Sequence, residues 1–132
     1  MKALKLTTLL LAVVMVLGST SCKYEEGPAI SLLTKKARIT GEWTIEKTIE
    51  PDGTIDTDYD LVYTFEKDNT GKISSPSFTG DIQFSWELID NKEKIQISID
   101  GLDTVVETIL KLKNKEMWVK DSDNYQTHFQ KK

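Results

Sequence analysis

The sequence contains very few of the residues on which enzymes and metal sites most often depend. Among its 132 residues there is one cysteine, Cys22, one histidine, His128, and one arginine, Arg38. A single cysteine excludes an internal disulfide framework and a thiolate-rich zinc site. No recognisable nucleophile or metal-ligand set accompanies the single histidine, so the sequence offers few residues that could catalyse a reaction. We therefore expect a protein that is not an enzyme and that holds no cofactor and no metal.

Positive charge is scarce as well. The chain has 17 lysine and arginine residues against 21 aspartate and glutamate residues, a net charge of −4 and a pI near 5.0. Binding to nucleic-acid phosphates needs clustered basic side chains, so no nucleic-acid partner is expected. Asp56, Asp58 and Asp60 have the spacing of a calcium loop. Leu61 and Lys67 stand where such a loop needs glycine and glutamate, so calcium is not expected either.

An apolar run lies near the N-terminus, and it is too short to cross a membrane. It extends over the nine residues from Leu9 to Leu17, whereas a membrane-spanning helix needs about 20. Lys2 and Lys5 precede it, and the small residues 18–21 follow it. A basic start, a short apolar middle and a small-residue end are typical of a secretory signal. Residues 1–21 are therefore predicted to be a signal peptide that is removed.

The single cysteine comes immediately after this signal. Small residues, Thr20 and Ser21, precede Cys22, and the segment resembles the lipobox of bacterial lipoproteins. The resemblance implies that Cys22 becomes the N-terminal residue and that its thiol is acylated by chains such as palmitate. Two or more acyl chains anchor a protein stably to a membrane. The alternative is a soluble secreted protein with one spare cysteine.

Residues 22–29 are predicted to be a lipidated tether ahead of the folded domain. Glu25 and Glu26 lie shortly after Cys22 and resemble the acidic export signal of surface lipoproteins of Bacteroidetes. The resemblance implies an outer-membrane lipoprotein on the cell surface, with the periplasmic face as the alternative. Without that export role, these charges would keep a solvated tether extended.

From Gly41 onward the pattern is almost entirely that of β-strands. Apolar residues alternate with polar ones, and short connectors with turn residues separate the segments. About eight strands are expected, the eighth being either a short strand in "GKIS" (71–74) or one at the end of the chain. The alternating apolar residues are Trp43, Ile45, Ile49; Tyr59, Leu61, Tyr63, Phe65; Ile82, Phe84, Trp86, Leu88; Ile95, Ile97, Ile99; Val106, Leu110, Leu112; Met117, Val119; Tyr125, Phe129.

Short connectors make neighbouring strands antiparallel, and an apolar face on one side of so many strands favours a sheet that closes on itself. Residues 30–132 are therefore predicted to form an all-β, eight-stranded, antiparallel, up-and-down barrel. A short helix within 28–41 is expected to precede it, capped by Ser31, ended by Gly41 and closing one mouth of the barrel. His128 alternates with its apolar neighbours and is expected to face outward.

A short helix followed by "GEW" (41–43) at the first strand of an eight-stranded meander resembles the lipocalin G-x-W signature. With the lipobox and acidic tether, the chain is similar to the lipocalin-like lipoproteins of Bacteroidetes. The resemblance implies that Gly41 turns the chain tightly and that Trp43 plugs the closed end of the barrel. In lipocalins an arginine of the last strand packs over this tryptophan. Here either Arg38 or Lys131 is expected to replace it.

The same resemblance implies that the barrel binds a small, mostly apolar molecule. Tyr59, Tyr63, Phe84 and Trp86 are the candidate wall residues, although inward aromatic side chains either line a pocket or fill it. Strict alternation along the first strand places Lys47 inward with Ile45 and Ile49. There the lysine either binds a carboxylate of the ligand or extends to water at the barrel rim.

Two functions are therefore carried forward. The first is a binding protein for a small apolar or amphipathic ligand, and the second is a surface module with a filled barrel that docks a protein or a glycan. Phe78, in the long 67–80 connector, is the expected contact of the second. A lumen of a few hundred cubic ångströms favours the first function, and a packed lumen the second. "DTV" (103–105) also resembles an O-glycosylation acceptor motif of exported proteins, which would make Thr104 a sugar site.

Overall fold

The computed structural model describes residues 33–132. One short helix precedes nine strands, and the order along the chain is α1 (Lys35–Ile39), β1 (Gly41–Ile49), β2 (Ile55–Asp56), β3 (Val62–Phe65), β4 (Thr70–Ser74), β5 (Ile82–Ile89), β6 (Lys94–Ser98), β7 (Val105–Leu112), β8 (Glu116–Lys120) and β9 (Gln126–Lys131). In this part of the chain no helix is long and apolar enough to cross a membrane.

The strands form one antiparallel sheet that closes on itself. From β3 to β9 every strand pairs with the next in sequence, and β1 pairs with both β3 and β9. The two-residue β2 pairs only with the far end of β1 and lies outside this ring. The result is a closed barrel of eight strands, β1 and β3–β9, which confirms the predicted fold. The uncertain strand is the one at 71–74, because β4 contains those residues.

The helix lies at the end of the barrel where β1 begins. The Thr34 side chain accepts a hydrogen bond from the Ala37 amide and caps the helix. The cap is therefore Thr34 and not Ser31, which lies outside the described residues. Ile39 is fully buried, and its carbonyl accepts a hydrogen bond of 2.7 Å from the Trp43 indole Nε1. This bond fixes the helix over the barrel end.

Aromatic side chains fill the half of the barrel next to the helix. The Phe65 ring packs edge-on against Phe84 and Trp86, with centroid distances of 5.3 and 5.4 Å. Gly71 makes this packing possible, because a Cβ there would lie 2.3 Å from the Phe84 ring and 2.5 Å from the Thr64 carbonyl oxygen. Glycine is thus required by the close approach of a ring.

Two β-bulges break the alternation of inward and outward side chains. In β1, Ile45 is opposite Phe129 and Lys47 is opposite His128, so Glu46 is the extra residue. Lys47 therefore shares the outer face with His128, and its predicted inward position is wrong. His128 faces outward as predicted, although it is only 3% exposed.

The second bulge lies in β7 and moves the predicted inward series by one residue. Ile95 and Ile97, which face inward, are opposite Glu107 and Val105, so these two side chains also face inward. Val106 faces outward, and Leu110 is the bulged residue before Lys111, so the inward positions predicted for them are wrong. Along β7 the inward positions agree with the prediction again only at Leu112, which is fully buried.

The direction of the strands distinguishes two ends of the barrel. At the closed end β1 begins beneath the helix and β9 ends. At the other end, called the mouth here, β1 ends and β3, β5, β7 and β9 begin. The connectors 50–61, 75–81, 99–104 and 121–125 all lie at the mouth.

Candidate functional site

The closed end of the barrel is built around Trp43. Its side chain is fully buried, and the Lys131 ammonium lies 5.0 Å from the centroid of its ring. The same ammonium donates a hydrogen bond of 2.7 Å to the Arg38 carbonyl, and burial lowers the pKa of Lys131. Gly41 has a φ of 133°, and a Cβ atom added there would lie 3.0 Å from the Lys131 side chain. Lys131 therefore lies over the tryptophan, while Arg38 contributes its backbone carbonyl.

The barrel lumen contains a small cavity of about 70 Å³. Liquid water occupies about 30 Å³ per molecule, so the space suits two or three small groups. Pockets for drug-sized ligands begin at about 300 Å³, and most of this lumen is therefore filled by side chains. The lining residues are Ile45, Tyr63, Phe65, Ile95, Ile97, Glu107, Met117, Val119, Thr127 and Phe129.

Glu107 is the one ionisable carboxyl group in this lining. Within residues 33–132 its carboxyl group makes no hydrogen bond and no ion pair. Burial, with a smaller contribution from the negative charge of Asp121, raises the pKa of Glu107 from 4.5 to about 7. Burial, together with the charge of Glu107, also raises the pKa of Tyr63 across the cavity. The lumen thus holds an acid whose charge is not compensated by any group within residues 33–132.

The aromatic residues predicted as ligand walls lie in three different places. Tyr63 lines the cavity, and its ring packs edge-on against Phe129 at 5.3 Å. Tyr59 lies at the mouth, where its hydroxyl is 2.7 Å from the Thr48 hydroxyl. Phe84 and Trp86 belong to the packed core and do not line this cavity. The Trp86 indole donates to the carbonyls of Glu66 and Thr70, which supports a structural role.

Lys47 and His128 belong to a row of side chains on the outer face. The His128 ring stacks on Trp118 with centroids 4.0 Å apart and an angle of 4° between the planes. On β7, the Lys111 ammonium lies 4.0 Å from the centroid of the same indole and 3.2 Å from the Glu116 carboxylate. Burial, and then the positive charge of Lys47, lower the pKa of His128. This row is separate from the lumen.

The mouth exposes more large apolar side chains than the rest of the described chain. Val105 and Ile82 face inward at the mouth and are 45% and 38% exposed. Others lie in the connectors at the same end, whereas Leu33 and the outward-facing Val106 are exposed elsewhere. We call the residues at this end the apolar rim: Ile55, Phe78, Ile82, Leu102, Val105 and Tyr125.

A second depression lies on the outer face, between β5 and β6. It is an open trough of about 370 Å³ with a polar lining that includes Asn69, Glu87 and Gln96. The Gln96 amide donates to the Glu87 carboxylate at 3.2 Å, so these groups already satisfy each other. Trp86 also lines the trough, but this side chain is only 3% exposed and belongs to the packed core.

Three further predictions concern single residues or small groups. Thr104 is exposed at the mouth, and its hydroxyl is 3.2 Å from that of Ser98, so the acceptor position is accessible. Cys22 lies outside the described residues, and its lipidation stays a prediction. Within residues 33–132 no group of three or more His, Cys, Asp or Glu side chains is arranged to hold a metal ion.

The sequence prediction missed Glu107, which is the polar group of the lumen. Two apolar series overlap in "VVETILKL", one through Val106 and the other through Val105 and Ile109. The predicted inward series runs through Val106, whereas the bulge at Leu110 joins the other series to Leu112. The available signal was that the series through Val105 and Ile109 is as apolar as the other and contains one charged residue, Glu107.

Solved structures share this architecture. A lipocalin-like protein from Bacteroides uniformis has 13% identity and a TM-score of 0.62, over 72% of this chain and 99% of its own. An uncharacterized protein from Bacteroides eggerthii has 14% identity and a TM-score of 0.61, over 71% of this chain and 99% of its own. No family model and no curated protein matches the sequence. The described residues therefore have a lipocalin-like fold.

Proposed function

We propose that this protein is an outer-membrane-anchored lipoprotein that binds a small amphipathic molecule at the mouth of its barrel. The observation that carries the proposal is that the apolar rim lies at the mouth, where Val105 on β7 is one inward position above Glu107 in the cavity. Exposed apolar side chains collected at one end of a soluble domain are typical of a binding surface.

The dimensions of the lumen define how the ligand binds. A cavity of about 70 Å³ accepts a head group or the end of a chain but not a whole lipid. The remainder of the ligand lies against the apolar rim, where Val105 and Ile82 extend the inner face towards solvent. The site is thus an open mouth with a narrow floor.

Anchoring through acylated Cys22 rests on the sequence pattern and is tested separately. Globomycin, which inhibits the lipoprotein signal peptidase, should cause the unprocessed precursor to accumulate, and Cys22→Ser should release the protein from the membrane fraction. Protease treatment of intact cells distinguishes the cell surface from the periplasmic face. Unchanged processing in globomycin would remove the anchoring part of the proposal.

Ligand binding is tested by native mass spectrometry of the protein extracted from its own bacterium. We expect a bound small molecule on the wild type. Thr127→Phe, which places a ring in the cavity, should lose it, because Thr127 lines that space. Thr108→Phe is the matched control, since Thr108 pairs with Lys94 and Lys120 on the outer face. Equal occupancy in all three proteins would contradict the proposal.

The second candidate is a docking module with a filled barrel. The small cavity volume favours it, together with Phe78, which is 38% exposed in the connector between β4 and β5. In that case the extracted wild type carries no small molecule, and Phe78→Ser abolishes cross-linking to a surface partner. Thr127→Phe then leaves the cross-linking unchanged.

A further inference from the structure

We propose that the carboxylate of Glu107 selects a ligand with a protonated amine, whose ammonium group enters the cavity while its apolar part lies on the rim. This inference rests on the proposed function and adds the chemical class of the ligand. It is carried by a carboxyl group that lines the cavity and has no partner among residues 33–132.

The position of Glu107 gives a ligand short access from solvent. On β7 it is the next inward residue below Val105, which belongs to the apolar rim. A ligand with its body against Val105 therefore brings its head group to the Glu107 carboxylate. The cavity of about 70 Å³ fits a head group as compact as an ammonium with its first methylenes.

The charges around the mouth favour a cation over an anion. Among the barrel strands, Lys131 is the one lysine on the inner face, and it lies at the closed end over Trp43. Lys47 and Lys120 are paired with outward residues and point away from the lumen. Asp121 lies near Glu107 and adds negative charge. A ligand carboxylate would therefore meet repulsion, and an ammonium would meet attraction.

The other polar groups around Glu107 come from strands β2, β3 and β9 and from the mouth, and they are neutral or acidic. Tyr63 on β3 and Thr127 on β9 contribute hydroxyl groups that can accept a hydrogen bond from an ammonium. Tyr59 contributes a hydroxyl at the mouth, and Asp56 on β2 is opposite Thr48. Strands β6 and β8 contribute apolar side chains to this cavity lining. Among the residues that the structure describes, none of these groups supplies a positive charge to Glu107.

Proton exchange distinguishes this arrangement from ordinary apolar binding. Burial raises the pKa of Glu107 to about 7, whereas alkylamines stay protonated to about pH 10. An ammonium ligand therefore binds the carboxylate and displaces its proton when the pH is below 7. Affinity should rise about tenfold from pH 6 to pH 8, with about 0.9 proton released per amine bound at pH 6.

The experiment uses the acylated full chain anchored in neutral phosphatidylcholine vesicles. Hexylammonium, 1-hexanol and hexanoate are titrated by calorimetry at pH 6 and pH 8, and protein-free vesicles give the background. Two buffers with different ionisation enthalpies give the number of protons released. Glu107→Gln removes the charge in the lumen, and Asp103→Asn removes one from an exposed side chain of the mouth.

We expect wild type and Asp103→Asn to bind hexylammonium at least tenfold more tightly than 1-hexanol at pH 8 and to release protons at pH 6. Glu107→Gln should bind both probes equally and release none. Equal binding of the amine and the alcohol by wild type, or an unchanged preference in Glu107→Gln, overturns this inference alone. No binding of any probe overturns the proposed function as well.

Discussion

Replacement of Glu107 by glutamine should make the free energy of unfolding less dependent on pH. The pKa of this carboxyl is about 7 in the folded protein against 4.5 for an ordinary glutamate. A pKa shift of one unit corresponds to about 1.4 kcal/mol. Ionisation of Glu107 in the folded state therefore opposes folding by about 3 kcal/mol above pH 7.

The direction of this effect follows from the raised pKa. Between these two pKa values the folded protein retains a proton that the unfolded chain releases. The contribution of Glu107 to the free energy of unfolding is therefore fully present below pH 4.5 and is lost as the pH rises through about 7. The depressed pKa of His128 has the opposite effect, since its contribution is present above 6.5 and is lost on acidification. Both proteins contain His128, so its contribution cancels in the comparison between wild type and Glu107→Gln.

The assay is urea unfolding followed by tryptophan fluorescence at pH 5, 6, 7 and 8. We expect Glu107→Gln to gain about 2 to 3 kcal/mol over wild type between pH 5 and pH 8. Glu66→Gln is the control, because Glu66 is exposed and its side chain should leave the pH profile unchanged. Parallel profiles for wild type and Glu107→Gln would refute the claim that the lumen desolvates this carboxyl.

Three other substitutions test the closed end, the core and the outer face. Lys131→Met should reduce the free energy of unfolding by about 2 kcal/mol, because it removes a cation over an indole and a charged hydrogen bond. Lys131→Arg should retain most of this stability. Equal loss in both variants would contradict the role given to Lys131. Gly71→Ala should destabilise by about 1 to 3 kcal/mol through overlap with the Phe84 ring, and an unchanged urea midpoint would contradict that packing. NMR titration should find the imidazole pKa of His128 below 6.5, and Lys47→Gln should raise it; a value unaffected by Lys47→Gln would contradict their proximity.

The barrel could be predicted because its features are local and repeated. Alternation along each strand and short turns between strands are visible in the sequence, and closure follows from an apolar face on so many strands. The "GEW" segment likewise predicted that Trp43 would occupy the closed end. Which cation lies over the indole could not be predicted, because Lys131 reaches it only through the pairing of β9 with β1.

The polar part of the site was not predictable because it depends on two bulges. A single extra residue at Glu46 or Leu110 shifts the alternation on one side of it relative to the other, so a series extended through the bulge places the residues on one side of it on the wrong face. Lys47 was thereby moved out of the lumen and Glu107 was missed, although both changes involve one residue of register. Bulges depend on how neighbouring strands pair, and alternation within one strand does not reveal them.

On this account the Glu107 carboxyl group, in the cavity below the mouth, binds a cationic ligand head. The most direct measurement is the titration of the Glu107 side-chain carboxyl by carbon-13 NMR, with and without hexylammonium. We expect a pKa of about 7 in the free protein and a clear decrease when the amine is bound. A pKa near 4.5 in the free protein, or one that hexylammonium does not change, would contradict the account.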